Sequence, residues 1–323
     1  MPDSYTGFTV AVVGAGLVGE RLVSELIRRE FPLKELRGRA TTARRQKIAG
    51  EEYDVRLAEP DAFEGVDFAF FAGTEGEKGA AVQLAQEAIA RGAIVVDNGS
   101  DYRLDPEVPL IVPEVNAAAL EGHSGLIANA NCSTTQMVVA LSPLSREFGI
   151  NKVVVSTYQA VSGSGRGGVE ALEDGREGVY PKQISGNALP VIGSIGEDGY
   201  STEETKMVLE SRKILGLPNL EVYPTAVRIP VHTGHSESVY VETDREVTLA
   251  EVLDAFREAP GITVGAANDF PTPLEHAGDS GVHVGRVRVS GNRVEFWCVS
   301  DNLLKGAATN AVQIVEELAG VRA

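Results

Sequence analysis

Phe8-Thr-Val-Ala-Val-Val13, followed at once by Gly14-Ala-Gly16-Leu-Val-Gly19, decides how the rest of the chain is read. The first six residues form an apolar, β-branched run, the pattern of a parallel strand buried on both faces. A helical pattern follows from about Glu20 to Arg29. The glycines therefore spell G-x-G-x-x-G between a strand and a helix, where backbone can approach a pyrophosphate at a helix N-terminus. A tight turn with no ligand has the same spacing, so the motif alone leaves both readings open. Working outward, Val66–Gly73 and Ala93–Asp97 are further apolar strands, separated by an Ala-rich helix from about Glu77 to Arg91 that Gly92 stops. Strands alternating with helices over the first ~125 residues predict an α/β, Rossmann-type doubly wound parallel sheet.

Between Glu35 and Lys47 the chain carries Arg37, Arg39, Arg44, Arg45 and Lys47 with no acid. A site for NAD wants Asp or Glu near here for the ribose 2′-OH, whereas the 2′-phosphate of NADP wants arginine. The local positive charge favours NADP, with Thr42 and Arg44 as its contacts and Arg45 beside them. A solvated loop is the plainer alternative. Beyond the strand at Asp97, Asn98-Gly-Ser-Asp-Tyr-Arg103 is a loop at a strand's carboxyl end, where such sheets bind ligands.

The chain has 323 residues, 43% hydrophobic and 23% charged, a composition of ordinary globular proteins, and its length suggests about two domains. A net charge of −17 argues against nucleic acid or an anionic membrane surface as partner. Two distant cysteines, Cys132 and Cys298, make no disulfide framework. No basic-then-apolar leader and no apolar run near ~20 residues is seen, so a cytoplasmic protein is expected.

Gly125-Leu-Ile-Ala128 reads as a short strand, and Met137, Leu141, Leu144 and Phe148 mark one face of a following helix. Cys132 falls at the junction, beside unpaired N–H groups and the positive end of the helix dipole. Such a place lowers a thiol's pKa and makes a nucleophile, although a lone cysteine is also commonly inert core. Lys152–Gln159 is a strand ending in Gln159, and the glycine-rich Ala160–Gly168 predicts an active-site loop. Ser201 and Glu204 form a capping box on a helix running to about Leu215. Glu203 is then left to pair with Lys206, on spacing alone as an exposed ion pair. His232 and His235 lack the spacing or cysteine partners of a zinc site, and one of them as a base beside a thiolate is more economical. Ser238–Glu242, Gly285–Val289 and Arg293–Val299 alternate like half-exposed strands, so the second region is a largely antiparallel sheet with Cys298 in its packing. A last helix starts after Asp301 and ends near Leu318.

These segments converge on one family. DNGSDYRLD (97–105), VPLIVPEVN (108–116), NANCSTTQMVVALSPL (129–144), VVVSTYQAVSGSG (153–165), EDGYSTEETKM (197–207), TAVRIPVHTGHSE (225–237) and DNLLKGAATNAVQ (301–313) resemble bacterial aspartate-β-semialdehyde dehydrogenase along nearly the whole chain. The resemblance implies a Rossmann-type NADP domain over 1–130, completed by a C-terminal helix over 303–323, and an α+β catalytic and dimerisation domain over 131–302. It implies Cys132 as nucleophile, Gln159 orienting the acyl group, His235 as general acid/base, Arg228 on the substrate α-carboxylate and Glu203 on its amino group. Arg103, Asn131 and Lys206 correspond to the phosphate-binding set. The cofactor set becomes Gly14, Gly16, Leu17, Val18, Gly19, Thr42, Arg44, Arg45, Ser162, Gly163 and Asn302, with no metal. The implied reaction is NADPH-dependent reduction of aspartyl phosphate to aspartate semialdehyde through a cysteine thioester, in lysine, methionine and threonine biosynthesis. The implied partners are the small substrate, inorganic phosphate and a second copy of the chain, as a dimer or a tetramer.

Three departures stand out. The family's G-A-T-G-x-V-G loop is shorter here and lacks the threonine, its S-A-R-S is Thr42-Ala-Arg44-Arg45, and Ala130 replaces a proline before Asn131. Two rivals remain: an N-acetyl-γ-glutamyl-phosphate reductase-like enzyme, and a catalytically silent nucleotide-binding homologue.

Overall fold

The computed structural model describes residues 7–40, 42–48, 50–73, 76, 79–266 and 269–321. The chain divides into two compact units, one comprising Met1–Pro113, Ala117–Ala130 and Ala307–Ala323, the other Glu114–Asn116 and Asn131–Gly306.

Elements run in the order β1 (Phe8–Val13), α1 (Leu17–Arg28), β2 (Leu33–Ala40), β3 (Arg44–Ile48), β4 (Glu51–Leu57), β5 (Phe68–Phe71), α2 (Ala80–Ala90), β6 (Ile94–Asp97), β7 (Leu110–Ile111), α3 (Pro113–Asn116) and β8 (Leu126–Asn129). The sheet of the first unit has the order β3-β4-β2-β1-β5-β6-β8-β7 and is parallel except where β3 pairs β4. From β1 the chain moves outward through β2 and β4, then returns to β5 on the other side of β1. The strand order therefore reverses at β1, and the glycine turn leaves β1 at that switch point. Gly14 has φ +115°, and a Cβ there would lie 2.5 Å from the Ala72 backbone. A Cβ on Gly19 would overlap the Gly14 carbonyl oxygen, so only glycine lets α1 start this close to β1. The core joins Val10, Val12, Leu22, Leu26, Phe68 and Phe70 to Ile127 and to Val312, Ile314 and Val315 of the last helix.

The remaining elements are α4 (Cys132–Phe148), β9 (Ile150–Gln159), α5 (Gly165–Glu173), α6 (Thr202–Leu215), β10 (Glu221–Arg228), β11 (His235–Thr243), α7 (Leu249–Glu258), β12 (Ile262–Val264), α8 (Pro273–His276), β13 (Val282–Ser290), β14 (Arg293–Ser300) and α9 (Thr309–Ala319). The sheet of the second unit runs β10-β9-β11-β14-β13-β12, antiparallel at its three central pairings and parallel at its two ends. Helix α9 belongs to the first unit: Arg29 forks onto the Glu316 carboxylate at 2.6 and 2.7 Å, and Thr309 Oγ1 donates to Glu25 Oε2 at 2.8 Å.

The architecture agrees with the sequence reading, but three local details differ. The basic stretch is mostly strand: it forms the end of β2 and the β3–β4 hairpin, with Arg44, Arg45 and Lys47 exposed. Ala160–Gly168 is helical, a tight turn over Val161–Ser164 running into α5, because glycine's freedom permits helix as well as loop. Helix α4 is not one-sided; nearly every residue from Ser133 to Leu144 is buried, Thr134, Thr135 and Gln136 included. Glu77, the sequence-based start of the second helix, lies outside the described residues.

Because the glycine turn has no space beside Gly19, Gly19→Ala forces α1 away from β1. Overpacking of this kind costs about 2 kcal/mol. The melting temperature should fall by about 5 °C, read by differential scanning calorimetry; an unchanged melt would show that the turn can relax.

Candidate active site

The site is built around the start of α4. Asn131 is the N-cap, extended at φ −60° and ψ 146°, and its Oδ1 accepts from the Ser133 and Thr134 backbone N–H groups at 3.0 and 3.3 Å. Cap and helix hold Cys132 at the first position of α4, partly accessible. Gly306 packs on its back: a Cβ at Gly306 would lie 2.8 Å from Cys132 Cβ.

Glu203, in the first turn of α6, ties this helix start to the sheet. It is 7% exposed, and its Oε1 accepts from Asn131 Nδ2 (3.0 Å), Ser133 Oγ (3.2 Å) and Gln159 Nε2 (3.1 Å). Lys206 Nζ stands 4.0 Å from Glu203 Oε2. Spacing alone predicts an exposed ion pair here; the structure buries the carboxylate because the capping box of Ser201 and Glu204 turns the first face of α6 inward. Glu210, two turns further along α6, accepts the Asn131 backbone N–H at 2.8 Å. The sequence reading passed over Glu210, although its seven-residue offset from Glu203 places both on one helix face.

The ends of β9, β10 and β11 supply the rest. In the parallel register Arg228 lies opposite Gln159, and its Nη1 donates to the Ala160 carbonyl at 2.6 Å. The Ala160 N–H donates to His235 Nδ1 at 3.1 Å. One peptide segment thus holds both cation and imidazole. With Nδ1 accepting, the neutral ring carries its proton on Nε2. Burial, and next the Arg228 guanidinium, push the His235 pKa well below its ordinary value, so the ring is neutral. Three buried atoms, Gln159 Oε1, Arg228 Nε and His235 Nε2, have no hydrogen-bond partner. Such atoms are costly to leave bare and are the groups a polar substrate would satisfy. Gly163 packs against this cluster: a Cβ there would approach Arg228 Nη1 to 2.8 Å. Asn302 Oδ1 accepts the Gly234 N–H at 2.9 Å, and its amide donates to Ser162 Oγ at 3.0 Å, so these two fix the turn that carries His235. His232 is half exposed and 3.5 Å from Glu173, outside this network.

In the first unit Arg103 is 6% exposed, its Nε and Nη2 donating to the Asn129 and Asn98 carbonyls, both at 2.8 Å. It is thereby locked at the carboxyl ends of β6 and β8. Arg44 Nη2 donates to the Ala15 carbonyl at 2.5 Å, beside the glycine turn, with Thr42 exposed two residues before it. Arg45 points to the other face of β3 and pairs with Asp54 at 3.2 Å. Helix α1 begins after Gly16 with no side chain capping it, and the space beside Gly16 is open. The turn therefore offers backbone N–H groups, a helix dipole and one arginine, a donor set that fits a dinucleotide phosphate. Leu17, Val18 and Gly19 form the first turn of α1.

The family model described as "Semialdehyde dehydrogenase, NAD binding domain" matches residues 9–123, and "Semialdehyde dehydrogenase, dimerisation domain" matches residues 141–305. An aspartate-semialdehyde dehydrogenase of Bacillus subtilis is 43% identical over 340 residues, covering 97% of each chain. The chain belongs to the aspartate-semialdehyde dehydrogenase family. The Aquifex aeolicus aspartate-semialdehyde dehydrogenase is 44% identical over 337 residues, covering 97% of this chain and 98% of that one. The structure of aspartate semialdehyde dehydrogenase II from Vibrio cholerae, complexed with ASA, superposes with TM-score 0.92 at 38% identity, over 97% and 98% of the two chains. The Candida albicans aspartate semialdehyde dehydrogenase, solved with NADP, gives TM-score 0.75 at 25% identity, over 97% and 98%. Full-length relatives of this name favour it over the N-acetyl-γ-glutamyl-phosphate reductase reading. An aspartate-semialdehyde dehydrogenase is an oxidoreductase of amino-acid biosynthesis, with a nicotinamide-nucleotide domain.

One buried acid lies behind the site. Glu237, two residues beyond His235 on β11, is fully buried opposite Cys298, whose Sγ donates to its Oε2 at 3.6 Å. Cys298 is thus not plain apolar packing. Burial raises the Glu237 pKa from 4.5 to about 8, and burial likewise pushes the Cys298 thiol up. A raised pKa means stability present below about 4.5 and lost as pH climbs to about 8. Glu237→Gln, a mimic of the neutral acid, should match the parent's melting temperature at pH 5 and exceed it at pH 8.5. A difference that is the same at both pH values would show that Glu237 does not titrate there.

Proposed function

We propose that the chain catalyses the NADPH-dependent reductive dephosphorylation of L-4-aspartyl phosphate to L-aspartate 4-semialdehyde through a thioester on Cys132, in lysine, methionine and threonine biosynthesis. The observation that carries this reading is the set of bare buried atoms on Gln159, Arg228 and His235, gathered by β9–β11 and tied through Glu203 to the helix start that bears Cys132.

In the proposed sequence Arg228 binds the substrate α-carboxylate and Glu203 its amino group, which sets the acyl carbon before Cys132. The Cys132 thiolate, favoured at a helix N-terminus, attacks that carbon, and the bond to phosphate breaks. Arg103 and Lys206 are the proposed holders of the departing phosphate, with Asn131. Gln159 orients the acyl group. NADPH, once bound, supplies the hydride that reduces the thioester carbon. The His235 Nε2–H donates to the resulting oxyanion, and collapse releases the aldehyde and restores the thiolate. Gly14, Gly16, Leu17, Val18 and Gly19 would hold the cofactor, with Arg44 and Thr42 the residues that would take its 2′-phosphate. Ser162, Gly163 and Asn302 would complete the cofactor set, while Ser162 and Asn302 also hold the turn that carries the imidazole. A dimer in the cytoplasm is the proposed working form, the first from the name of the second matched domain and the second from the chain's acidic, globular composition.

Run in reverse, phosphate must resolve the thioester. Purified protein should therefore reduce NADP⁺ with aspartate semialdehyde only when phosphate or arsenate is present, and Cys132→Ala should show no turnover. Equal rates without either anion would rule out the phosphorylating route, and turnover in the variant would remove the nucleophile. Arg44→Glu should raise the KM for NADP at least tenfold while the KM for NAD changes little; an unchanged ratio would assign the arginine another task.

A further inference from the structure

His276, Asp279 and His283 lie on the segment that joins α8 to β13, outside the catalytic cluster. His276 ends α8, whose start is fastened by a capping box of Thr272 and Glu275. Asp279 sits in the turn, and His283 is the second residue of β13, opposite Val299 of β14. One donor atom from each residue lies within 4.8 Å of the others, and His283 Nε2 is 3.3 Å from Asp279 Oδ2. Two ligands on one tetrahedral ion, each about 2.1 Å from it, stand about 3.4 Å apart.

Two further observations point the same way. His283 is 7% exposed, yet its Nε2 has no hydrogen-bond partner, with Asp279 Oδ2 beside it at 3.3 Å. Asp279 is meanwhile oriented by its other oxygen, Oδ1, which accepts the Gly281 N–H at 2.8 Å and leaves Oδ2 turned to the imidazoles. The rings of His276 and His283 stack with centroids 3.5 Å apart and planes 13° from parallel. Parallel rings cannot both aim lone pairs at one point, so closing the site means swinging the less buried ring, His276, out of the stack.

We propose that His276, Asp279 and His283 bind one divalent transition-metal ion, zinc or cobalt, with water completing the coordination. Two imidazoles and one carboxylate suit such ions and are poor ligands for magnesium or calcium. The site would brace the segment behind the catalytic imidazole. Pro273 abuts Gly234, where a Cβ would lie 2.8 Å from Pro273 Cβ, and Gly234 precedes His235. The Gly278 N–H donates to Asp301 Oδ2 at 2.8 Å, next to Asn302, and Trp297 Nε1 donates to the Pro271 carbonyl at 2.9 Å.

The test is a cobalt titration of chelator-treated full-length protein, followed by visible absorption and by melting temperature. Cys132→Ser is run alongside, because a reactive thiol also binds such ions. One equivalent should bind in both proteins, with a spectrum that lacks thiolate charge transfer, and should raise both melting temperatures. His276→Gln and Asp279→Asn, changes at the two more exposed ligands, should each weaken binding at least tenfold and abolish the melting shift without altering the metal-free melt. Undiminished binding in those two variants, no binding in the parent, or loss of binding on Cys132→Ser alone would overturn the proposal.

Discussion

A single buried carboxylate oxygen holds the second unit's chemistry together. Glu203 Oε1 receives donors from Asn131, Ser133 and Gln159, which belong to a helix cap, a helix first turn and a strand end. Removing the carboxylate would leave the Asn131 and Gln159 amide donors bare, each costing about 1–3 kcal/mol, whereas Ser133 Oγ would keep Asn131 Oδ1 at 2.6 Å. This arrangement also explains why α4 is buried nearly all round. A helix that must present its first residue to a site, and its cap to α6, cannot keep a solvent face.

A second junction is the Ala160 peptide, which accepts from Arg228 and donates to His235. It contributes only backbone, so no side-chain pattern marks it. Parallel pairing of β9 with β10 and antiparallel pairing of β9 with β11 bring strand ends together that are far apart in sequence. The guanidinium does two jobs there. It anchors the peptide, and its charge joins burial in keeping the imidazole neutral. A neutral ring whose Nδ1 accepts from Ala160 carries its proton on Nε2 and is there a hydrogen-bond donor.

The first unit solves a different problem, bringing backbone rather than side chains to a ligand. Steric limits at Gly14 and Gly19 set the turn, and the absence of a cap at Gly16 leaves the first amides of α1 unspent. Arg44 reaches the same turn from β3, although strand alternation sends its neighbour Arg45 the other way. A run of basic residues therefore overstates the local positive charge, because Arg45 faces Asp54 and Arg37 is paired with Glu35.

The sequence by itself determined the two-sheet plan: a strand, a glycine turn and a helix dictate a parallel sheet, and later period-2 alternation dictates an antiparallel one. It also placed Cys132 at a helix start, since caps and hydrophobic period are local properties. Tertiary structure alone decided the rest. Glu203 and Lys206 look like a surface pair until burial is known, Glu210 is marked only by its offset from Glu203 on the same helix face, and the Ala160 peptide carries no mark at all. Ala160–Gly168 reads as a loop because glycine permits many conformations, and only packing selects the helical one. Burial, pairing register and the company a side chain keeps are set by residues far away in the chain, and no local pattern contains them.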